Sequence, residues 1–180
     1  RDFQWRDAVI LLRSVKGRTP DLLEVLRSYE IPCHADVDEG YFTETEVQVL
    51  LSTLATIDNP YQDIHLASTL RSPIAHFTEP ELAQFRLCQP RGAFWEALQK
   101  SRTCEDLPES LRSRLEKFLL QYHSWREFSR RESVPALIRK VLSDTLYDSW
   151  VAALPGGSLR AANLQALQER ASEFENSGMR

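Results

Sequence analysis

The strongest constraint on the fold of this chain is a helical pattern that begins at Glu44 and continues almost to its end. Apolar residues recur three or four positions apart, a spacing that places them on one face of an α-helix. Prolines interrupt the pattern near each expected helix start or loop, and Pro155-Gly156-Gly157 marks the clearest late turn. The predicted helices are Glu44–Ile57, Asp63–Leu70, Glu79–Leu87, Ala93–Lys100, Pro108–Phe128, Val134–Leu142 and Asn163–Asn176.

The opening of the chain follows a different pattern. Ala8–Leu12 is a short, continuous apolar run, which is typical of a strand buried on both faces of a parallel sheet. Thr19 is a suitable N-cap with Pro20 at the first helical position, so a helix is expected to follow. Ile31–Ala35 is a second short extended segment. Strand, helix and strand in this order indicate a βαβ unit with a right-handed crossover.

The sequence therefore predicts a mainly α fold with a small α/β part at the N-terminus. Two short strands do not form a stable sheet alone, and strands that are apolar on both faces need cover. We expect residues outside this chain to supply the missing strands, so that the chain is an excerpt of a larger protein. The absence of an initiator methionine fits this expectation.

Charge is unevenly distributed along the chain. Asp and Glu outnumber Lys and Arg by 26 to 22 overall. Residues 112–140, here called the basic segment, nevertheless hold eight basic and three acidic residues. Association with an anionic polymer depends on the local potential rather than on the average, so the basic segment is a candidate phosphate-binding surface. The alternative is a solvated helix face.

No catalytic motif is present in the sequence. It lacks the phosphate-binding pattern GxxxxGK[ST], the dinucleotide pattern GxGxxG, the nucleophile pattern GxSxG and the zinc pattern HExxH. Three widely spaced cysteines, Cys33, Cys88 and Cys104, predict neither a zinc site nor a disulfide framework, and free thiols suit a reducing cytoplasm. No apolar run approaches the roughly 18 residues of a membrane span. We therefore expect no metal site and no self-contained catalytic centre.

Several stretches, in their order and spacing, resemble one family. The first is Asp7–Ser14 with Tyr29–Pro32, the second is Gly40–Leu51 running on to Ile57–Pro60 and Gln62–Asp63, and the third is Leu70–Ile74. They are joined by Ala153–Gly157, Arg160–Leu164 and Phe174–Glu175. Together they are similar to the AddA-type subunit of the ATP-dependent helicase/nucleases, within the UvrD/Rep-like superfamily 1 DNA helicases. The resemblance covers most of the chain, and its core is residues 7–74.

This resemblance implies where the chain lies in a larger enzyme. Residues 1–62 would form the start of the RecA-like (P-loop NTPase-like) domain 2A, and residues 63–180 would form part of the all-helical 2B insertion. The chain would be an internal fragment. The phosphate loop, the Mg²⁺-binding acidic motif and the nuclease domain would all lie outside it, so the chain alone would be inactive.

The resemblance also implies the activity of the intact enzyme. With ATP and Mg²⁺ it would translocate along single-stranded DNA, unwind duplex at a junction and act as an exonuclease in double-strand-break repair and recombination. A partner subunit of the AddB type, a cytoplasmic location and no membrane association are implied as well.

Arg13 carries over from the family together with a mechanism. It follows the predicted strand Ala8–Leu12, and ligands bind at the carboxyl ends of parallel strands. It resembles the arginine that contacts the γ-phosphate of ATP held on the other RecA-like domain, where a guanidinium stabilises charge on the transferred phosphoryl group. UvrD has an aromatic residue just before this arginine, whereas Leu12 stands here, so stacking on adenine does not carry over. The structural alternative for Arg13 is a surface ion pair.

A second candidate site is the turn around Arg71 and Ser72. It lies where UvrD-like proteins leave domain 2A for domain 2B, near a Gly-rich turn that touches the duplex backbone. A backbone turn that carries Ser and Arg is suited to phosphate contact. The sequence departs from the family pattern at His76, where a glycine is expected. The alternative is a simple helix-ending turn.

Within the basic segment, Arg126, Arg130 and Arg131 are the candidates for DNA contact. Such a surface binds phosphates without reading sequence, so its affinity falls steeply with salt. The aromatic residues Phe118, Tyr122, Trp125 and Phe128 recur at helical spacing. Stacking platforms for bases use aromatic side chains, but this spacing is more typical of a core stripe.

A stand-alone helical protein-interaction module without catalytic activity is the competing interpretation. Its binding surface would be formed by the helices of residues 90–176. An isolated module should not begin with an unpaired strand of the buried type, and this chain does. The opening of the chain therefore favours the enzyme excerpt.

Overall fold

The structure is a computed structural model that describes residues 4–12, 19–33 and 42–177. It divides into two compact units, Arg1–Glu44 and Thr45–Arg180. The expected division of the chain into residues 1–62 and 63–180 stays a prediction.

The described residues of the first unit form a short 3-10 helix and an α-helix. The 3-10 helix spans Trp5–Asp7, and the Gln4 backbone N–H donates to Asp7 Oδ2 over 3.0 Å. Helix α1 spans Thr19–Ser28 and begins at the threonine that the sequence marks as a helix start. The Ile31 N–H donates to the Leu26 carbonyl over 3.0 Å and closes the end of α1.

The strands predicted at Ala8–Leu12 and Ile31–Ala35 are not confirmed. Ala8–Leu12 and Ile31–Cys33 form no strand with any described residue, and His34 and Ala35 lie outside the described residues. Val9 and Leu11 are 78% and 89% exposed. A strand is stabilised by hydrogen bonds to a neighbouring strand, which an apolar pattern alone does not provide. The mainly α fold is confirmed, and the small α/β part of RecA-like type is not.

The second unit is helical in its described residues. Helices α2 to α5 span Thr45–Asp58, Asp63–Arg71, Glu79–Cys88 and Phe94–Ser101. Helices α6 to α9 span Glu109–Ser129, Val134–Thr145, Tyr147–Ala152 and Gly157–Asn176. The pairs α2–α3, α4–α5, α6–α7 and α8–α9 pack against each other along the chain, and α9 also packs on α2 and α7.

Two helix starts, those of α4 and α7, follow the capping chemistry of the sequence. Thr78 caps α4, because its Oγ1 accepts from the Glu81 N–H and the Glu81 carboxylate accepts from the Thr78 N–H over 2.8 Å. Ser133 caps α7 and receives the Ala136 N–H over 3.3 Å. Both helices also carry a proline in their first turn, where no hydrogen bond is lost.

Two features at the C-terminal end were missed by the helical pattern. Helix α8 has six residues and buries Tyr147 and Val151, which is too short for a recognisable period. Helix α9 starts at Gly157 rather than at Asn163, directly after Gly156 at φ +70°. A Cβ at Gly157 would lie 2.0 Å from the Ala152 carbonyl oxygen, so only glycine permits this close approach of α9 to α8.

The main apolar core lies between helices α3 to α6. The long helix α6 buries Leu115, Phe118 and Tyr122 there, against Phe85 of α4 and Trp95 of α5. Phe77 meets Phe85 and Phe118 edge to face, with ring centroids 5.4 and 6.2 Å apart. Such aromatic pairs add to the free energy of area burial and favour one arrangement of the helices.

A polar cluster joins the start of α2 to α8 and α9. The Glu46 carboxylate accepts from Arg160 Nη1 over 2.9 Å and from Asn163 Nδ2 over 2.7 Å. The Tyr147 hydroxyl donates to the Glu46 carbonyl over 3.4 Å, and burial, reinforced by the Glu46 charge, raises the pKa of Tyr147 well above its usual range. The buried carboxylate is stabilised because each oxygen has a donor.

Candidate nucleic-acid interface

The turn that follows α3, residues 71–77, is here called the α3 turn. Ser72 is 6% exposed, and its hydroxyl donates to the Thr69 carbonyl over 2.7 Å. The same oxygen accepts from the Ile74 N–H over 3.2 Å. The Ser72 hydroxyl is therefore used within the chain, where it holds the backbone of the turn.

His76 adopts a left-handed backbone conformation in the α3 turn. Its φ is +58°, the region that glycine enters freely and residues with a Cβ rarely adopt. The His76 N–H donates to the Ser72 carbonyl over 2.8 Å, and the Phe77 N–H donates to the Leu70 carbonyl over 2.9 Å. The position where the family pattern expects a glycine thus has the backbone that a glycine favours, although a histidine occupies it.

Arg114 of α6 reaches across to the α3 turn. Its Nη2 donates to the His76 carbonyl over 2.5 Å, and its Nη1 donates to Glu81 Oε1 over 2.5 Å. The guanidinium carbon also lies 4.9 Å from the centre of the Phe77 ring. The sequence counts Arg114 only as one of the residues of the basic segment, because nothing local predicts a contact with a turn 38 positions earlier.

Two glutamates at the start of α4 face Arg71 of the α3 turn and Arg114 of α6. Arg71 pairs with Glu79, and both side chains are more than half exposed. Burial opposes ionisation of Glu81, but the Thr78 N–H and Arg114 outweigh it, so the pKa of the Glu81 carboxyl is lowered. Arg71 and Arg114 therefore each have one carboxylate partner.

Arg130 and Arg131 lie at the other end of α6. They are 66% and 73% exposed at the side chain, and both pair with the single carboxylate of Glu127. Residues 126–132 hold three arginines and two glutamates, Glu127 and Glu132, which gives this end of the helix a net charge of +1. Arg114 and Arg130 are sixteen residues apart, which corresponds to roughly 24 Å along an α-helix.

Arg126 differs from its two neighbours in the basic segment. It is partly buried, and its Nη1 donates to the Tyr122 hydroxyl over 2.8 Å. Burial raises the pKa of Tyr122, whereas the adjacent Arg126 opposes that rise. Arg126 is thus bound to a core residue and is less available for a phosphate than Arg130 or Arg131.

The aromatic stripe of α6 lies in the core. Phe118, Tyr122 and Trp125 are at most 5% exposed, and Trp125 Nε1 donates to Asp144 Oδ2 over 2.9 Å. Phe128 is partly buried, with Lys140 Nζ 5.6 Å from its ring centre. The core arrangement that the spacing favoured is confirmed for these residues.

The ATP contact predicted for Arg13 lies outside the described residues and stays a prediction. Among residues 4–12, 19–33 and 42–177, no group of three or more His, Cys, Asp or Glu side chains is placed to hold a metal ion. None of the helices in the described part of the chain is long and apolar enough to cross a membrane.

Curated relatives align with the chain over essentially its whole length. It is 44% identical over 183 residues to a protein of Geobacillus thermodenitrificans that is named as the A subunit of an ATP-dependent helicase/nuclease, and the alignment includes 100% of the chain but 15% of that protein. Proteins of the same name from Bacillus pumilus and Heliobacterium modesticaldum are each 43% identical, with 100% and 98% of the chain aligned against 14% and 13% of their own lengths. No protein-family model matches the chain.

Proposed function

We propose that the chain acts as part of an ATP-dependent helicase/nuclease, because it is homologous over its whole length to a segment of the AddA-type proteins. The AddA-type resemblance of the sequence is confirmed by these relatives. The chain spans about one seventh of their length. The activity of the whole protein is therefore our proposal for this chain.

In this proposal the enzyme translocates on DNA and unwinds it at the expense of ATP. It degrades DNA as an exonuclease during double-strand-break repair and recombination, in the cytoplasm and with a partner subunit of the AddB type. The single observation that carries the proposal is 44% identity over the entire chain. The exposed apolar segment Val9–Leu12 supports it, since pairing with further strands of a RecA-like sheet would bury those side chains.

The role of this chain toward ATP is assigned to Arg13. ATP and Mg²⁺ would be held mainly by parts of the enzyme outside this chain, and no Mg²⁺ ligand is assigned to the described residues. Arg13 would place its guanidinium against the γ-phosphate, where an arginine finger can raise the rate of phosphoryl transfer by about 10³–10⁵-fold. The chain alone would not hydrolyse ATP.

The role toward DNA is divided between the two ends of α6. Near Arg114, the α3 turn would contact the DNA backbone of a duplex junction through the Arg71 side chain and the exposed backbone of the turn. The Ser72 hydroxyl would stabilise the turn through its hydrogen bonds to Thr69 and Ile74. Near Ser129, Arg130 and Arg131 would contact phosphates, and Arg126 would contribute less because it is bound to Tyr122. The roughly 24 Å between the two ends corresponds to about seven phosphates of one strand.

The test of the proposed function is Arg13→Ala in the full-length protein. We expect ATP hydrolysis and strand separation to be nearly abolished, while binding to forked DNA stays within about twofold of the wild type, because Arg13 is assigned to phosphoryl transfer and not to DNA. A variant that turns over ATP at the wild-type rate would exclude the assigned role.

The competing function is a helical protein-interaction module. It is favoured by exposed apolar side chains within residues 90–176, such as Leu120 and Leu146, which are 69% and 64% exposed. The salt dependence of binding distinguishes the two functions. Binding to forked DNA that weakens steeply with salt supports the helicase. Salt-insensitive binding to a protein, with no affinity for DNA, would support the module.

A further inference from the structure

Arg114 is one of the side chains that join the α3 turn to the rest of the second unit. Its two terminal nitrogens donate to two different acceptors, the His76 carbonyl and Glu81 Oε1, each over 2.5 Å. Its guanidinium also lies over the ring of Phe77, which belongs to the main core. One residue of α6 thus contacts the His76 backbone, the Phe77 ring and the first turn of α4.

The backbone of the turn needs such a contact. A residue with a Cβ avoids the left-handed region, because its side chain comes too close to the following carbonyl. His76 is held there by its N–H bond to Ser72 and by the Arg114 bond to its carbonyl. The peptide after His76 is held on both sides, because its carbonyl accepts from Arg114 and the Phe77 N–H donates to the Leu70 carbonyl. Removal of the Arg114 bond leaves the Leu70 bond as the remaining anchor of that peptide, so relaxation of His76 to a negative φ becomes easier.

The contact depends on the shape of the guanidinium group. Arginine presents its donors in a rigid planar fork, so it binds two acceptors at fixed positions at once. A lysine ammonium at the end of a flexible chain can satisfy one acceptor but does not fix the two relative to each other.

We propose that Arg114 is a positioning residue for DNA: it presents the α3 turn in the one backbone conformation that binds a duplex junction. This inference rests on the proposed function, since it requires that the turn contacts DNA. Arg114 itself is not assigned to a phosphate, because its charge is already paired with the Glu81 carboxylate.

The experiment measures binding of forked duplex DNA by the full-length protein over a series of salt concentrations. Arg114→Ala and Arg114→Lys should each weaken binding by about fivefold or more, the factor expected when a left-handed residue loses its anchor and the competent conformation becomes a minor one. The slope of log affinity against log salt should stay unchanged. Loss of a phosphate contact would instead lower its magnitude by about 0.9.

The matched control is Arg102→Ala. Arg102 also donates to a glutamate, with its Nε 2.8 Å from Glu116 Oε1 of α6. Its side chain is 45% exposed, compared with 42% for Arg114. Its bond to Glu116 lies apart from the α3 turn, so DNA affinity should not change. Thermal denaturation of every variant verifies that the fold is retained.

A second substitution, at His76, tests whether the lost DNA affinity can be restored through the backbone of the turn. Glycine adopts φ near +58° without strain. His76→Gly introduced into the Arg114→Ala variant should therefore recover most of the lost DNA affinity, whereas His76→Ala in the same background should not.

Four outcomes would overturn the inference. A shallower salt slope in Arg114→Ala would make Arg114 a direct phosphate contact. Wild-type DNA affinity in Arg114→Lys would show that the planar guanidinium group is not required. Unchanged affinity in Arg114→Ala, together with weaker binding by Arg71→Ala, would leave the proposed DNA contact of the turn intact and exclude Arg114 from it. If neither Arg114→Ala nor Arg71→Ala changes DNA affinity, the α3 turn does not contact DNA. The proposed DNA contact of the turn and the positioning role of Arg114 then both fail.

Discussion

The buried carboxylate of Glu46 gives a direct test of what holds the second unit together. The side chain is 1% exposed and accepts hydrogen bonds from Arg160 and Asn163, which lie more than a hundred positions later. Glu46→Ala removes both acceptors at once and leaves a guanidinium and an amide facing a small cavity.

The size of the effect follows from the exposure of the partners. Removing one member of a buried ion pair costs about 3–5 kcal/mol when the remaining charge stays buried. Arg160 is 38% exposed, so water recovers part of that cost, while the lost hydrogen bond to Asn163 adds about 1 kcal/mol. We expect Glu46→Ala to lower the free energy of unfolding by about 2–4 kcal/mol.

Urea denaturation followed by circular dichroism measures this difference. The control is Glu109→Ala, which removes a glutamate that is 83% exposed and paired with Arg112, and which should change stability by less than about 0.5 kcal/mol. A double-mutant cycle with Arg160→Ala should give a coupling of about 1–3 kcal/mol, because the two side chains act as one unit. A Glu46→Ala effect as small as that of the control, or a coupling of zero, would refute the reasoning.

Three further predictions concern single contacts. Gly157→Ala should lower the free energy of unfolding by about 2 kcal/mol or more in urea denaturation, since its Cβ would meet the Ala152 carbonyl oxygen; stability equal to the wild type would contradict the close approach of α8 and α9. The wild type should be more stable than Glu81→Gln, because the folded chain lowers the pKa of the Glu81 carboxyl from 4.5. This difference in stability should be full above pH 4.5 and disappear as the pH falls through the lowered pKa, as measured by thermal denaturation at a series of pH values. A difference that grows on acidification would contradict this sign. Arg130→Ala and Arg131→Ala should each reduce the salt slope of DNA binding by about 0.9, whereas Arg126→Ala should change it less; equal effects of all three would contradict the burial of Arg126.

The helices could be predicted well because their signals are local. The start of α7 at Val134 and of α4 at Glu79 follows from a capping Ser or Thr with a proline behind it. Helix α8 could not be predicted, because its six residues are stabilised by the burial of Tyr147 and Val151 against other helices rather than by a period of their own. Ala8–Leu12 shows the reverse limit, since a strongly apolar run predicts a strand but not the neighbour that the strand requires.

The candidate site could be predicted only in part for the same reason. The Arg and Ser of the α3 turn and the excess of positive charge near Arg130 can be read from the sequence. The contact of Arg114 with the His76 carbonyl cannot, because it depends on how α6 packs beside a turn distant in sequence. Likewise, the sequence does not show that Arg126 binds a core residue while Arg130 is exposed, because this depends on which face of α6 is buried.

The long sequence separation within the Glu46 cluster has a consequence for the order of folding. Its hydrogen bonds join residues 114 and 117 positions apart, whereas α2–α3 and α4–α5 pair with neighbours along the chain. Closing a long loop costs conformational entropy before any contact repays it, so local helix pairs are expected to form first. At a synthesis rate of roughly 5–20 residues per second, Asn163 follows Glu46 by about 6–23 s. Until then the carboxylate that becomes the most deeply buried charge of the unit remains in water on the nascent chain.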